Sequence, residues 1–335
     1  MNKLAECISN RDSSYLPIWF MRQAGRYLPE FKEIRIKNPN FINLCLNSEL
    51  AAEITIQPIK RFDLDAAIIF SDILLIPYGL GQKVEFKKGE GPVLGDLKIE
   101  EILKTTAQNF LEKVSPVYKA ISKVKEKLPK KSVIGFAGAP WTLLVYMLNQ
   151  KSPKKDFDFF KVIENEKLTQ KLLAKLEDMI SLHINEQIKA GADVIQIFDS
   201  WAGLLPKNQL FNFCYNPSKN IINKVNNKKK PIICFPRGLG KEYAEYCEKV
   251  SPHCISIDYD VDPQWAKNNL KGIPIQGGMD PKILLKDENA IKKEVEKYLK
   301  IFSGYPYIFN LGHGVLPDTK PETIRYITNL VRKKR

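Results

Sequence analysis

Long apolar runs are missing from this sequence. No stretch of its 335 residues approaches the roughly 20 apolar side chains of a membrane span, and the N-terminal "MNKLAECISNRDSS" holds no run of signal-peptide length. A cytosolic protein with no membrane partner is expected. Paired cysteines are missing as well: Cys7, Cys45, Cys214, Cys234, Cys247 and Cys254 are scattered with no C-x-x-C. That argues against a disulfide scaffold or a structural zinc knuckle and leaves reduced core thiols. The basic runs lack aromatic interleaving. The net charge is +14, much of it in "PKK" (129–131), "NKKKP" (227–231) and "RKKR" (332–335), and a solvated lysine-rich surface explains these better than a nucleic-acid patch. No Gly/Ser-rich linker divides the chain, and no G-x-G-x-x-G follows an early strand.

Apolar runs of strand length are present throughout. There are eight: "YLPIWFM" (15–21), "AAIIFSD" (66–72), "SVIGFAG" (132–138), "ADVIQIFDS" (192–200), "PIICFP" (231–236), "CISIDY" (254–259), "IPIQGG" (273–278) and "YIFNLGHG" (307–314). They are nearly continuous in Ile, Val and Phe, as strands buried on both faces are. Helical periodicity fills the intervals, for example over 48–62, 168–190 and 281–302. "TKPETI" marks the start of the last helix, with Thr319 and Glu322 at capping-box spacing and Pro321 in the first turn. The alternation predicts an α/β protein formed by a single closed (β/α)8 barrel over 1–335. An open doubly wound sheet is the alternative. In the barrel, Lys130, Lys131 and Lys228 to Lys230 precede strands and fall on the bottom face, opposite the catalytic face.

The carboxyl ends of the predicted strands collect polar residues: Arg22, Gln23 and Arg26, then Ser71 and Asp72, Tyr146, Asp199 and Ser200, Arg237, Asp258 and Asp260, and His313 between two glycines. Each has an ordinary structural explanation. Arg22 or Arg26 could pair with Glu30, Asp72 could cap the segment after it, Tyr146 could be core and His313 a loop residue. Their convergence on one face is what points to a site. Several cations around one carboxylate suit a polyanion that also carries donor groups.

"PIWFMRQAGRYLPEF", "AAIIFSDIL", "GFAGAPWTLLVYM", "IFDSWAG" and "FNLGHGV" resemble, in order and over essentially the full chain, the uroporphyrinogen decarboxylase family. The resemblance implies a (β/α)8 barrel, usually a homodimer. It would remove CO2 from four acetate side chains of a tetrapyrrole without metal or organic cofactor. It also implies substrate contacts at Arg22, Gln23, Ala24, Gly25, Arg26, Arg35, Asp72, Tyr146, Ser200 and His313, with Asp72 and Arg22 catalytic. "IQGGMDP" (275–281) departs from the family, which more often has Asn-Leu in place of Gly278-Met279.

Such a substrate can be its own electron sink once a pyrrole carbon is protonated, so no pyridoxal or thiamine motif is required. Asp72 suits the gathering of pyrrole N–H groups and stabilisation of the cation. For the proton donor, Arg22 stands beside Tyr146 and His313, whose ordinary pKa values are easier. Rival classes are a zinc-holding methyltransferase, for which His253 and Cys254 are poorly spaced, and a non-catalytic binding protein.

Overall fold

Every strand of the main sheet presents one set of alternate residues to the barrel interior and the other set to helices. In this computed structural model, which describes residues 2–87, 89–153, 157–227, 229–270 and 272–333, the strands are β1 (Ala66–Ile68), β4 (Ser132–Gly138), β5 (Val194–Asp199), β6 (Ile232–Pro236), β7 (Cys254–Ile257), β8 (Ile275–Gly277) and β9 (Tyr307–Ile308). They pair in parallel in that order. A separate antiparallel hairpin, β2 (Val84–Lys87) with β3 (Gly91–Leu94), has no counterpart among the predicted strands. Ala66, Ile68, Ile134, Val194, Ile233, Phe235, Cys254 and Ile308 form the inner cluster with Trp19 and Met21, and Leu4, Cys7 and Ile8 of the Lys3–Ser9 helix join them from below. The out-of-phase residues, such as Ala67, Val133, Ile195, Ile232, Ile255, Ile275 and Tyr307, belong to the outer core under the helices. Burial on both faces is what continuous apolar strands require.

The predicted first strand forms only a single bridge, Ile18 with Phe309, so seven strands and a seam close the barrel rather than eight strands. Pro17 has no N–H to give to a ladder, and side chains supply much of the bonding instead. Pro17 accepts from the Phe309 N–H (2.9 Å), and the Ile18 carbonyl accepts from the Asp65 N–H (3.0 Å). The Ile18 N–H goes to Asp65 Oδ2 (2.9 Å) and the Met21 N–H to Asn310 Oδ1 (3.0 Å). Gln23 spans the rest: its Oε1 accepts from the Phe20 N–H (3.0 Å), while its Nε2 donates to the Ala66 carbonyl (2.9 Å).

Helices occupy 48–62 and 166–189, close to the predicted ranges. The 281–302 prediction resolves into two pieces, a short 3-10 helix at Pro281–Leu285 and an α-helix at Glu288–Ile301, because Asp287 caps the second by accepting from the Ala290 N–H (3.0 Å). The last helix starts at Pro321, which leaves Lys320 next to the first turn and Thr319 one residue too far out. The expected capping box does not form, and the Thr319 hydroxyl is buried without a partner among the described residues.

On the bottom face several of the basic side chains are paired. Lys131 meets Asp63 at 2.6 Å, Lys125 and Lys230 flank Asp193 at 2.7 and 3.3 Å, and Arg332 reaches Asp63 at 2.8 Å. Lys228 lies outside the described residues. All six cysteines are buried and free, burial pushing the thiols of Cys7, Cys234 and Cys247 up to about 12. His183 is a core residue bonded to the Tyr118 hydroxyl (2.9 Å), and His253 Nδ1 accepts from the Ile232 N–H (3.2 Å) at the bottom of the barrel. Among the described residues, no helix is long and apolar enough to cross a membrane.

Candidate active site

At the top of the seam the chain turns sharply, and Arg22 sits in the left-handed region at φ 61°, which a branched or long side chain adopts only when its surroundings hold it there. Those surroundings are visible. The Gln23 N–H bonds to the Phe20 carbonyl (3.0 Å), the Val315 N–H to the Met21 carbonyl (2.8 Å), and the Tyr27 hydroxyl to the Gln23 carbonyl (2.8 Å). Gly25 lets the turn fold back: a Cβ there would stand 3.1 Å from the Arg22 carbonyl oxygen. The side-chain stem of Arg22 lies on Gly314, where a Cβ would come within 2.4 Å of Arg22 Cδ.

Arg22 is solvent-exposed, yet burial is the main cause that lowers its basicity. Protein atoms crowd around its side chain while part of it still reaches solvent. Asp72 raises the Arg22 pKa in opposition, while Arg26 and Arg237 lower it further. Asp72, half-buried beyond the end of β1, is pushed up to about 6 by burial, partly offset by the Leu74 N–H and then by Arg22. Its Oδ1 accepts that N–H at 2.9 Å in a local turn before the Leu75–Gly79 helix, which has no side-chain cap, and its charge is felt by Arg22 and Tyr146.

Tyr146 comes from the Pro140–Asn149 helix and packs edge-on against Trp201, with ring centroids 6.0 Å apart. Burial raises its hydroxyl pKa. His313 is half-buried, and burial together with the charges of Arg22 and Arg237 pulls its imidazole down to about 4. It is therefore neutral at pH 7.

The sequence-predicted set divides at this point. Arg22, Arg26, Asp72, Tyr146 and His313 share one electrostatic neighbourhood with Arg237. Ala24 and Gly25 are half-buried in the same turn, and Ser200 is half-buried directly after β5, in phase with the inward-facing Phe198. Gln23 is fully buried, and its amide is already engaged by Phe20 and Ala66, so it shapes the floor from behind. Arg35 sits further out, donating to the Asn38 carbonyl (2.6 Å) and lying over the Phe41 ring (5.7 Å); its link to Asp72 is Cys45, whose thiol feels both charges. Glu30 pairs with Arg61 at 3.3 Å, which leaves Arg22 and Arg26 without an ion-pair partner among the described residues.

Two further strand-end acids hold the frame. Buried Asp199 accepts from the Thr142 hydroxyl (2.6 Å), which itself accepts from the Trp201 N–H (3.1 Å) and so fixes the wall that carries Trp201. Asp258 takes the Gly238 N–H (2.7 Å), the Tyr243 hydroxyl (3.1 Å) and the Asp260 N–H (3.1 Å). In the departing segment Gly277 and Gly278 are both left-handed, at φ 83° and 97°, a shape that glycine adopts freely. No group of three or more His, Cys, Asp or Glu side chains is placed to hold a metal among the described residues. Sequence reasoning did not foresee the packing of Gly314 on Arg22 or the role of Trp201. Arg237 did carry a signal, since it continues the inward phase of Ile233 and Phe235.

Comparison with known proteins bears on the fold and the family. A "methyltransferase from Methanosarcina mazei" superimposes with a TM-score of 0.81 at 16% identity, covering 99% of this chain and 97% of its own, which establishes the barrel fold alone. "Uroporphyrinogen decarboxylase" of Rickettsia felis is 44% identical over 96% of this chain and 94% of its own length, and that of Rickettsia bellii is 43% identical over 95% and 94%. The profile described as "Uroporphyrinogen decarboxylase (URO-D)" matches residues 1–334. With relatives this similar along almost the whole length, the chain belongs to the uroporphyrinogen decarboxylase family.

Proposed function

We propose that this chain is a carboxy-lyase that converts the four acetate side chains of uroporphyrinogen III to methyl groups, giving coproporphyrinogen III in porphyrin and haem biosynthesis. The observation that carries the reading is the placement of Asp72 opposite Arg22 in a mouth that also receives Arg26 and Arg237. An acid facing cations that have no ion-pair partner among the described residues matches a ring of pyrrole N–H donors fringed by carboxylates.

Each cycle begins with a proton added to a pyrrole ring carbon. The acetate then loses CO2, and the electron pair of its C–C bond neutralises the ring cation, leaving an exocyclic methylene. A second proton completes the methyl group, and loss of the first restores the pyrrole. Net uptake is one proton for each CO2 released. The pyrrole accepts the electrons, so no additional group is needed for that step.

Asp72 accepts N–H bonds from the pyrroles and stabilises the ring cation, a preorganised contribution of about 3 kcal/mol. Arg22 is the proton donor. Its basicity is lowered by burial and by its neighbouring cations, whereas burial makes Tyr146 a weaker acid and keeps His313 without an extra proton at pH 7. His313, Tyr146 and Ser200 position the substrate, Ala24 and Gly25 bring backbone close to it, Arg26 takes a carboxylate, and Arg35 contributes positive potential from behind. The chain works as one catalytic domain spanning 1–335, as a homodimer in the cytoplasm. The test is anaerobic incubation with uroporphyrinogen, following the carboxyl groups lost. Four successive losses per ring support the reading, and recovery of the octacarboxylate unchanged rejects it.

A further inference from the structure

Arg237 follows β6 directly, and alternation along that strand sends Ile233 and Phe235 into the barrel interior, so Arg237 continues inward at the level of the mouth. Its backbone is held on both sides. The Arg237 N–H bonds to the Asp199 carbonyl (3.0 Å), and its carbonyl accepts from the Gly203 N–H (2.9 Å). The next residue, Gly238, is left-handed at φ 86° and gives its N–H to Asp258 at 2.7 Å. Gly203 and Gly238 touch so closely that a Cβ on Gly203 would lie 2.8 Å from the Gly238 carbonyl oxygen. The loop is therefore built around a fixed position for this arginine.

Its guanidinium is nevertheless unmatched. It is half-buried and makes no ion pair or hydrogen bond among the described residues. Asp258, whose oxygens accept from Gly238, Tyr243 and Asp260, forms no ion pair with it among the described residues. Its charge is felt by Arg22, also a cation, and by His313, whose imidazole is held low first by burial, then by Arg22 and Arg237. A half-buried cation beside a second cation is an unfavourable arrangement until an anion completes it.

We propose that Arg237 is a substrate-anchoring residue that grips one carboxylate of the tetrapyrrole on the His313 side of the mouth. The inference rests on the functional reading above. An arginine fork binds a carboxylate through two parallel N–H bonds, so it fixes the orientation of an acidic side chain as well as attracting it.

The test is anaerobic steady-state kinetics with uroporphyrinogen on the full-length protein, comparing wild type, Arg237→Gln and Arg237→Lys. Losing a charge-assisted pair is expected to raise KM about tenfold in Arg237→Gln while kcat stays within about threefold, with Arg237→Lys intermediate. In Arg237→Gln the imidazole of His313, followed by NMR, titrates at a higher pH than in wild type because one neighbouring cation is gone. Unchanged KM in both variants, or a fall in kcat at unchanged KM, overturns the assignment. An unmoved His313 titration does the same. If instead the wild-type protein releases no CO2 from uroporphyrinogen, the functional reading fails and not the placement of Arg237. Should Arg237→Gln fail to fold, Arg237→Lys keeps the positive charge and carries the same KM test.

Discussion

The aliphatic stem of Arg22 rests on the bare backbone of Gly314, with the Cδ only 2.4 Å from the place where any other residue would carry its Cβ. Two loops far apart in sequence are thereby locked, the Val315 N–H bonding to the Met21 carbonyl (2.8 Å) one step away. Gly314→Ala must push the Arg22 stem aside by roughly 1 Å, the scale on which catalytic geometry fails. We expect kcat/KM to drop at least about tenfold in a protein whose circular dichroism is unchanged. Wild-type turnover by a folded Gly314→Ala would mean that this contact does not aim Arg22.

Asp72→Asn keeps an oxygen for the Leu74 N–H and removes only the charge. A loss of about 10² or more in rate is expected, the size of one preorganised electrostatic contribution. Near-normal turnover of the folded variant takes Asp72 out of the mechanism.

The same residue sets a pH dependence. Asp72 titrates at about 6 in the folded protein, above the ordinary carboxylate range, so kcat/KM should fall as the pH drops through 6. Stability moves the other way. Ionising a group whose folded pKa is raised costs the native state at every pH above that window and nothing below the unfolded value. Asp72→Asn should therefore be more stable than wild type at pH 7, with the gain fading toward pH 4 in denaturant titrations. A wild-type profile flat from pH 5 to 7 would contradict the placement of Asp72.

His313 titrates at about 4, so it should shape no limb of the profile between pH 5 and 8. The decisive observation is the His313→Asn profile. A near-neutral limb present in wild type and missing there would make His313 the proton donor in place of Arg22.

Gln23 bonds to both the Phe20 N–H and the Ala66 carbonyl inside the seam. Gln23→Leu strands both, at a cost of about 1–3 kcal/mol each. Chemical denaturation should show a loss of about that size for at least one of them, whereas a residue whose only task is to touch substrate would leave stability unchanged.

The strand pattern was legible because β4 to β7 are buried on both faces, and a continuous apolar run has few other uses. The seam was misread for a related reason. "YLPIWFM" has the composition of a strand, but Pro17 cannot join a ladder, and the groups that replace it, Asp65, Asn310 and Gln23, belong to other parts of the chain or to a turn. The Thr319 capping box failed on a shift of one residue, which spacing alone does not resolve. The β2–β3 hairpin was passed over because its short, half-exposed strands carry no buried run.

Chain order and residue chemistry settled the barrel and the row of polar groups at its strand ends, since alternating burial dictates which side chains can face inward. Ionisation and aim were decided only by folding. His313 is uncharged, Asp72 titrates high, Arg22 is held by Gly314 and the Arg237 guanidinium has no partner among the described residues because desolvation and neighbouring charge depend on distances in space, and those join residues as far apart in sequence as Arg22 and Gly314.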